Sequence, residues 1–311
     1  MFAPEDRWIW DFWFAFSEGV HHMFFLQAPK SLGDAELRHR NATIGHATST
    51  DLVTWEECGT VLEPGRAGAI DETATWTGSV VCGPDGLWRM YYTGSVWDAE
   101  GNTQTIALAT SRDLFTWTKR TDFALSADGR WYERRGTSTW PEEAWRDPWV
   151  YFGADGRWHM LITARSNEGP DDDRGVVGHA VSTDLEEWEV LPPLTEPGMG
   201  FGHLEVPQLV SVGGGSEALI FSTAQETLTE ARRLRGGAGG VWWAPAAGEA
   251  IDLRRAEQLT SEDLYSGRIA RDGNGTEVLL AFATGLPGPK FTGNIVDPLP
   301  VHWANGQLEL S

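Results

Sequence analysis

Gly45-His46-Ala47-Thr48-Ser49-Thr50-Asp51-Leu52-Val53-Thr54-Trp55 returns as Ala107-Leu108-Ala109-Thr110-Ser111-Arg112-Asp113-Leu114-Phe115-Thr116-Trp117 and as Gly178-His179-Ala180-Val181-Ser182-Thr183-Asp184-Leu185-Glu186-Glu187-Trp188. One phrase recurring at intervals of roughly 60 to 70 residues signals radial repetition. Each copy reads as a short strand, a turn in which Ser and Asp side chains bond nearby backbone N–H groups, and a second strand that begins near the Trp. A hairpin with a Gly turn precedes each copy: Trp13 to Gln27 around Glu18-Gly19, Gly78 to Thr93 around Pro84-Asp85-Gly86, and Trp149 to Thr163 around Ala154-Asp155-Gly156. Two further hairpins follow without the phrase, Val206 to Ser222 around Gly213-Gly214-Gly215 and Gly267 to Ala283 around Asp272-Gly273-Asn274-Gly275. No stretch between them holds a helical apolar period, and Pro and Gly punctuate the chain throughout.

Five hairpins, a long repeat and the absence of helices together predict an all-β fold, a five-bladed β-propeller. A pair of β-sandwiches is the alternative, but it gives no reason for one phrase to recur in register. No linker separates two compositions, so residues 1–311 are expected to form a single domain. Gly236 to Gly240 reads as a flexible loop in the fourth repeat, and Asp171-Asp172-Asp173 as a solvated loop tip.

Composition narrows the function. Lys plus Arg number 24 and Asp plus Glu 45, a formal charge of −21. Such a surface repels phosphate backbones and anionic lipid, so neither nucleic acid nor membrane is an expected partner. No apolar run approaches the roughly 20 residues that cross a bilayer. The N-terminal stretch has no basic start followed by an apolar core, so a cytoplasmic location is expected, with secretion open if a leader was removed. Cys58 and Cys82 stand in no metal or redox spacing and are expected to be buried or idle thiols. His21-His22 has no third ligand at metal spacing and reads as a surface or strand-edge pair, so no metal and no cofactor are expected. The 17 Trp are unusual. Trp packs sheets and also stacks on the C–H face of a sugar; about 12 or more are expected to be structural.

In a propeller the first strand of each blade lines the axis, so side chains from different blades converge at one end. Three acids stand at the starts of these strands: Asp11 in Trp10-Asp11-Phe12-Trp13, Asp147 in Arg146-Asp147-Pro148-Trp149, and Glu205 in His203-Leu204-Glu205-Val206-Pro207. The reading places them at matched blade positions, where the second repeat has Trp76-Thr77-Gly78-Ser79 and the fifth Leu264-Tyr265-Ser266-Gly267-Arg268. An acid among tryptophans costs free energy unless paired or used. Glycoside cleavage uses such a set: one carboxylic acid protonates the leaving oxygen while a second carboxylate attacks the anomeric carbon or activates water. A third can hold sugar hydroxyls. A glutamate beside His203, Leu204 and Val206 is expected to keep its proton near neutral pH.

Taken together, the Gly45 to Trp55 phrase, Phe24-Phe25-Leu26-Gln27-Ala28-Pro29, Trp76-Thr77-Gly78-Ser79, Arg146-Asp147-Pro148 and Glu205-Val206-Pro207 resemble glycoside hydrolase families 32 and 68, five-bladed enzymes acting on sucrose and fructans. The resemblance covers nearly the whole chain in order. It implies a retaining enzyme acting on β-fructofuranosides, with fructosyl transfer as a further outcome. Asp11 would be the nucleophile, Glu205 the general acid and then base, and Asp147 the ligand of the fructosyl hydroxyls. Arg146 would orient Asp147 or meet a hydroxyl; Trp10, Gln27, Trp76, Ser79 and His203 would line the carbohydrate site. The sequence departs from family 32 in Trp10-Asp11-Phe12-Trp13, nearer the family 68 pattern, in Val206 where family 32 often has Cys, and in having nothing after Ser311 for a C-terminal β-sandwich. Two other readings use the same acids: an inverting arabinofuranosidase or xylosidase of the family 43 type, and a carbohydrate-binding propeller without catalysis.

Overall fold

The five hairpins and their outer strands form five antiparallel sheets arranged in a ring. The computed structural model describes residues 1–137, 140, 142–211, 217–286, 288, 290–304 and 307–310. Blade one comprises β1 Arg7–Ser17, β2 Val20–Pro29, β3 Thr43–Ser49 and β4 Glu56–Leu62. Blade two comprises β5 Ala74–Cys82, β6 Trp88–Trp97, β7 Asn102–Ser111 and β8 Thr118–Lys119, and blade three β9 Trp145–Phe152, β10 Trp158–Arg165, β11 Gly175–Ser182 and β12 Glu189–Leu191. Blade four holds β13 Glu205–Ser211, β14 Glu217–Thr223, β15 Gly240–Ala247, β16 Ala250–Ile251 and β17 Glu257–Gln258. Blade five holds β18 Leu264–Arg271, β19 Glu277–Ala283, β20 Asn294–Ile295, β21 Leu299–Ala304 and β22 Gln307–Leu310. The inner strands touch in the cycle β1, β5, β9, β13, β18 and back to β1. The ring is further tied where Phe2 and Ile295 exchange backbone hydrogen bonds of 2.9 and 3.0 Å.

The recurrent phrase does in three blades what its residues dictate. Ser49 Oγ accepts from the backbone N–H groups of Asp51 and Leu52, and Asp51 Oδ1 from those of Val53 and Thr54. Ser111 with Asp113 and Ser182 with Asp184 repeat the same four bonds. This network holds Leu52, Leu114 and Leu185 at φ of 62°, 66° and 65°, a conformation costly for leucine that the four bonds and a buried side chain offset. The last strand of each of these blades begins just after Trp55, Trp117 and Trp188. Aromatic and aliphatic side chains pack between neighbouring blades, with Trp13, Trp145 and Trp243 among the largest fully buried.

Several local expectations change. The fourth blade carries a short helix, α1 Glu230–Leu234, capped by Thr229, where the sequence predicts none; it leads into the Gly236 to Gly240 stretch, whose last residue begins β15. Cys58 and Cys82 are exposed, not buried. His21 and His22 are buried, because the rings of Phe16 and Phe115 cover them. In the acidic run only Asp171 and Asp172 face solvent; Asp173 Oδ1 accepts from the N–H groups of Gly200 and Phe201. The Gly213-Gly214-Gly215 turn lies outside the described residues. No helix among the described residues is long and apolar enough to cross a membrane.

Candidate active site

Each inner strand carries a bulge at the same place. The register of the first hairpin slips between Trp10 and Phe12, and of the second between Trp76 and Gly78. It slips between Arg146 and Trp149 in the third, between Glu205 and Gln208 in the fourth and between Tyr265 and Arg268 in the fifth. Regular strand geometry would point consecutive side chains to opposite faces; a bulge re-aims one of them. Asp147, Val206 and Ser266 accordingly have φ of 57°, 53° and 54°. Two rings result. Trp10, Trp76, Arg146, Glu205 and Tyr265 stand just before the bulges, and Asp11, Thr77, Asp147, Val206 and Ser266 within them. The whole first ring, and all of the second except Ser266, line one cleft of about 930 Å³.

This register corrects the expectation of three matched acids. Asp11 and Asp147 are equivalent, but Glu205 stands one residue earlier, in the ring of Arg146 and Tyr265. The three still meet in one cleft. Thr77 Oγ1 donates to Asp11 Oδ2 at 2.6 Å. Asp147 Oδ2 accepts from Thr163 Oγ1 at 2.9 Å and from the Val206 N–H at 3.2 Å. Arg146, buried between them, donates through Nη2 to Glu205 Oε1 at 2.5 Å and approaches Asp147 Oδ2 to 3.7 Å. Tyr265 donates to the other oxygen of Glu205.

The electrostatics separate the acids. Burial raises the pKa of Asp11, with Glu205 adding to the rise and the Thr77 hydroxyl opposing it. Burial likewise lifts Asp147 to about 7 against the pull of Arg146, with Asp11 and Glu205 adding to the rise. Glu205 goes the other way: burial favours its acid form, but Arg146 above all, with the Tyr265 hydroxyl, outweighs it and holds the carboxyl well below the usual range. The expectation that Glu205 keeps its proton near neutral pH therefore fails for the free protein, because the arginine predicted to serve Asp147 pairs more closely with Glu205. His203 Nδ1 sits 2.9 Å from Arg146 Nη2, which can only donate, so the ring is neutral with its hydrogen on Nε2. Burial and Arg146 lower its pKa.

Trp10, Trp76, Arg146 and His203 line the cleft as expected; Gln27 and Ser79 do not. Leu26 faces the cleft, so strand alternation turns Gln27 away, where it bonds Arg7, Thr43 and Thr60. Ser79 Oγ accepts from the Val150 N–H at 3.1 Å and ties blade two to blade three. Sequence reasoning missed Thr77, His39, Trp97, Trp140 and Tyr265 in the wall. Thr77 and Tyr265 were visible as repeat positions; His39, on the loop after β2, is fixed by tertiary contacts, its carbonyl accepting from Trp76 Nε1 at 2.7 Å. Four of the 17 Trp line the cleft, which leaves thirteen in other places.

Away from the cleft, among the described residues, His159, His179 and Glu249 bring three metal-capable groups within 4.8 Å of one another. The imidazoles lie 9° from coplanar with Nδ1 and Nε2 3.0 Å apart and centroids 5.3 Å apart, so the rings are end to end. That is an N–H···N hydrogen bond, not two lone pairs converging on an ion. His22 and His46 repeat it in blade one, at 3.1 Å, with no acid beside them.

Glycosyl hydrolases family 32 N-terminal domain is the family model that this chain matches, over residues 2–238. The chain belongs to glycosyl hydrolase family 32. That membership excludes the family 43 alternative and decides between families 32 and 68. Sucrose-6-phosphate hydrolase of Bacillus subtilis (strain 168) is 31% identical over 217 residues, 66% of this chain and 39% of that protein. The Escherichia coli sucrose-6-phosphate hydrolase is 28% identical over 292 residues, 87% of this chain and 54% of that one. The chain thus spans about half or less of the length of these family 32 relatives. Among solved structures, inulosucrase from Halalkalicoccus jeotgali bound to kestose superposes with a TM-score of 0.80 at 22% identity, covering 99% of this chain and 87% of that one. Fructan 1-exohydrolase IIa from Cichorium intybus gives 0.73 at 20%, covering 100% and 59%. Both carry the propeller fold.

Proposed function

We propose that this propeller, as one catalytic domain, cleaves β-fructofuranosides with retention through a covalent fructosyl-enzyme and can pass the fructosyl unit to water or to a second sugar. The observation that carries the reading is the convergence of Asp11, Asp147 and Glu205, from three blades, in one aromatic-walled cleft of a family 32 chain. The names of relatives agree: sucrose-6-phosphate hydrolase, fructan 6-exohydrolase and sucrose:sucrose 1-fructosyltransferase.

Asp11 is the nucleophile. Its carboxylate attacks the anomeric carbon, the bond to the leaving oxygen breaks, and Glu205 gives that oxygen a proton. Glu205 then takes a proton from the incoming water or sugar hydroxyl, whose oxygen displaces Asp11. Asp147 holds fructosyl hydroxyls and stabilises positive charge developing on the ring. In the free protein Glu205 is an anion clamped by Arg146 and Tyr265. Substrate supplies what changes this: a vicinal diol draws the Arg146 fork away, and the bound sugar excludes water, so both effects raise the Glu205 pKa toward proton uptake. A binding protein without catalysis would have an inaccessible, salt-bridged glutamate. Glu205 is salt-bridged, yet its side chain is 22% exposed and faces the cleft, which favours catalysis.

The purified protein is tested against sucrose, sucrose 6-phosphate, inulin, levan and nitrophenyl furanosides, with proton NMR following the anomeric configuration of the first product. Release of fructose or fructosyl oligosaccharide with retention supports the reading. Activity confined to arabinosides or xylosides, or inversion, overturns it.

A further inference from the structure

Asp11, Asp147 and Glu205 line one cleft, and each of the two aspartates is raised by its acidic neighbours. Arg146 spends its hydrogen bonds on Glu205 at 2.5 Å, His203 at 2.9 Å and Gln104 at 3.3 Å, and meets Asp147 only as an ion pair at 3.7 Å. Asp11 has no cationic partner within 4.0 Å among the described residues. A second positive charge nevertheless stands in the axis. Arg268, just after the bulge of β18, is 1% exposed and bridges the two neighbouring blades. Its Nε donates to Phe12 O in blade one, and its Nη1 to Val206 O and Pro207 O in blade four, the latter at 2.8 Å. Its guanidinium carbon lies 5.2 Å from the centre of the Trp149 ring of blade three.

We propose that Arg268 is a positioning cation of this site: a guanidinium that bridges blades one and four, fixes the Asp11 and Val206 bulges by bonding the carbonyls of Phe12, Val206 and Pro207, and adds to that of Arg146 the positive charge that lets Asp11 and Asp147 share one end of the channel. Its carbonyl partners are the bulge residue Val206 and the residues just after the Asp11 and Val206 bulges. The bond to Phe12 therefore sets where Asp11 points, and the bonds to Val206 and Pro207 fix the N–H that Asp147 accepts. A plug with only a structural task would be satisfied by apolar or neutral residues, since a buried charge is expensive unless used. Nη2 is buried and without a partner among the described residues, so the fold does not spend all of this side chain. The charge balance agrees: burial draws Arg268 down to about 10, with Asp147 and Asp11 holding it up, so it stays cationic at neutral pH. The other groups facing the two acids are Arg146 from β9, Glu205 from β13, Tyr265 and Ser266 from β18, Thr77 from β5 and Thr163 from β10.

The inference rests on the fructosidase reading, and its test separates the two. Arg268→Gln keeps donors for the carbonyls and removes the charge; Arg268→Lys keeps the charge and loses the fork. In the first, the acidic limb of kcat/KM on sucrose is expected to move up by about one pH unit, because Asp11 and Asp147 then ionise later. In the second, the limb returns toward that of the unsubstituted protein, at a lower kcat from poorer placement. Carbon-13 NMR titration of the aspartate carboxyls, which needs no turnover, should show both acids moving up in Arg268→Gln. If the unsubstituted protein cleaves no fructoside, the fructosidase reading fails and the titration still decides Arg268. An unmoved limb and unmoved titrations in a folded Gln variant, or loss of the fold in both variants, assign Arg268 to the plug alone and overturn the proposal.

Discussion

The outer corners and the inner bulges are both repeated, and they treat their residues in opposite ways. At the corners after β3, β7 and β11 the same Ser, Asp and Leu recur with the same four bonds and nearly the same φ. At the inner bulges one extra residue recurs in all five hairpins while the bulged residue is Asp, Thr, Asp, Val or Ser. A corner has one physical task, to satisfy backbone donors on a tight left-handed turn, and each blade solves it alone. The bulges jointly build one site, so five identical residues there would be useless and like acids would repel. Identity is kept where each unit works for itself, and diversity appears where the units share a centre.

Substitution at the bulges, or just before them, should break catalysis without breaking the fold. Asp11→Asn and Glu205→Gln are expected to lower kcat on sucrose by roughly 10³-fold or more with an unchanged circular dichroism spectrum. Azide should partly restore the first, and a nitrophenyl leaving group the second. Wild-type turnover in either would remove that residue from its role. Asp147→Asn should depress kcat/KM by about 10²- to 10³-fold with no rescue by either route, as the role proposed for it, neither bonding carbon nor moving a proton, requires.

The same Asp147 sharpens the contrast through stability. Its folded pKa, about 7, lies above its unfolded value of 3.8, so the folded state binds the extra proton between these limits. Stability is therefore lost as pH rises through that window, and Asp147→Asn should raise Tm by a few degrees near pH 8 relative to wild type, with a smaller gain below pH 4. At the corners the sign reverses. Asp113 is held at about 2 by the N–H groups of Thr116 and Phe115. Its contribution is present above the unfolded value and is lost as pH falls toward about 2. Asp113→Ala should thus cost about 1 kcal/mol near neutral pH, the deficit shrinking in acid, with kcat/KM unchanged. Smallest of all, Ser79→Ala should strand the Val150 N–H, lower Tm by about 2 °C and leave KM unaltered. A raised KM would return Ser79 to the carbohydrate site.

The ring of blades was legible because antiparallel hairpins and Ser-Asp turns are local, and a local rule repeated five times can be counted. The three acids were legible as polar residues at the starts of apolar strands. The position of Glu205, one step out of phase with Asp11 and Asp147, was not, since a bulge leaves the residue pattern unchanged and shows only in the register. Gln27 was misplaced for the same reason: strand parity decides which of Leu26 and Gln27 meets the cleft. The clamp on Glu205 joins Arg146 and Tyr265 from two other blades, and no single-blade reading contains it. His21 and His22 are polar by type, but Phe16, across the hairpin from His21, and Phe115, distant in sequence, bury them.

The bond between Arg268 and Phe12 joins residues 256 apart in the chain. During synthesis at roughly 5 to 20 residues per second, Asp11 therefore leaves the ribosome tens of seconds before its partner on the axis exists. Each blade can pair its own strands as it emerges, but Tyr265 and Arg268 arrive with the last blade. A nascent chain holds Asp11 without its cleft for most of its synthesis. Chemical competence is then gained in one late event, the closing of the ring, so refolding activity should lag behind the recovery of sheet structure.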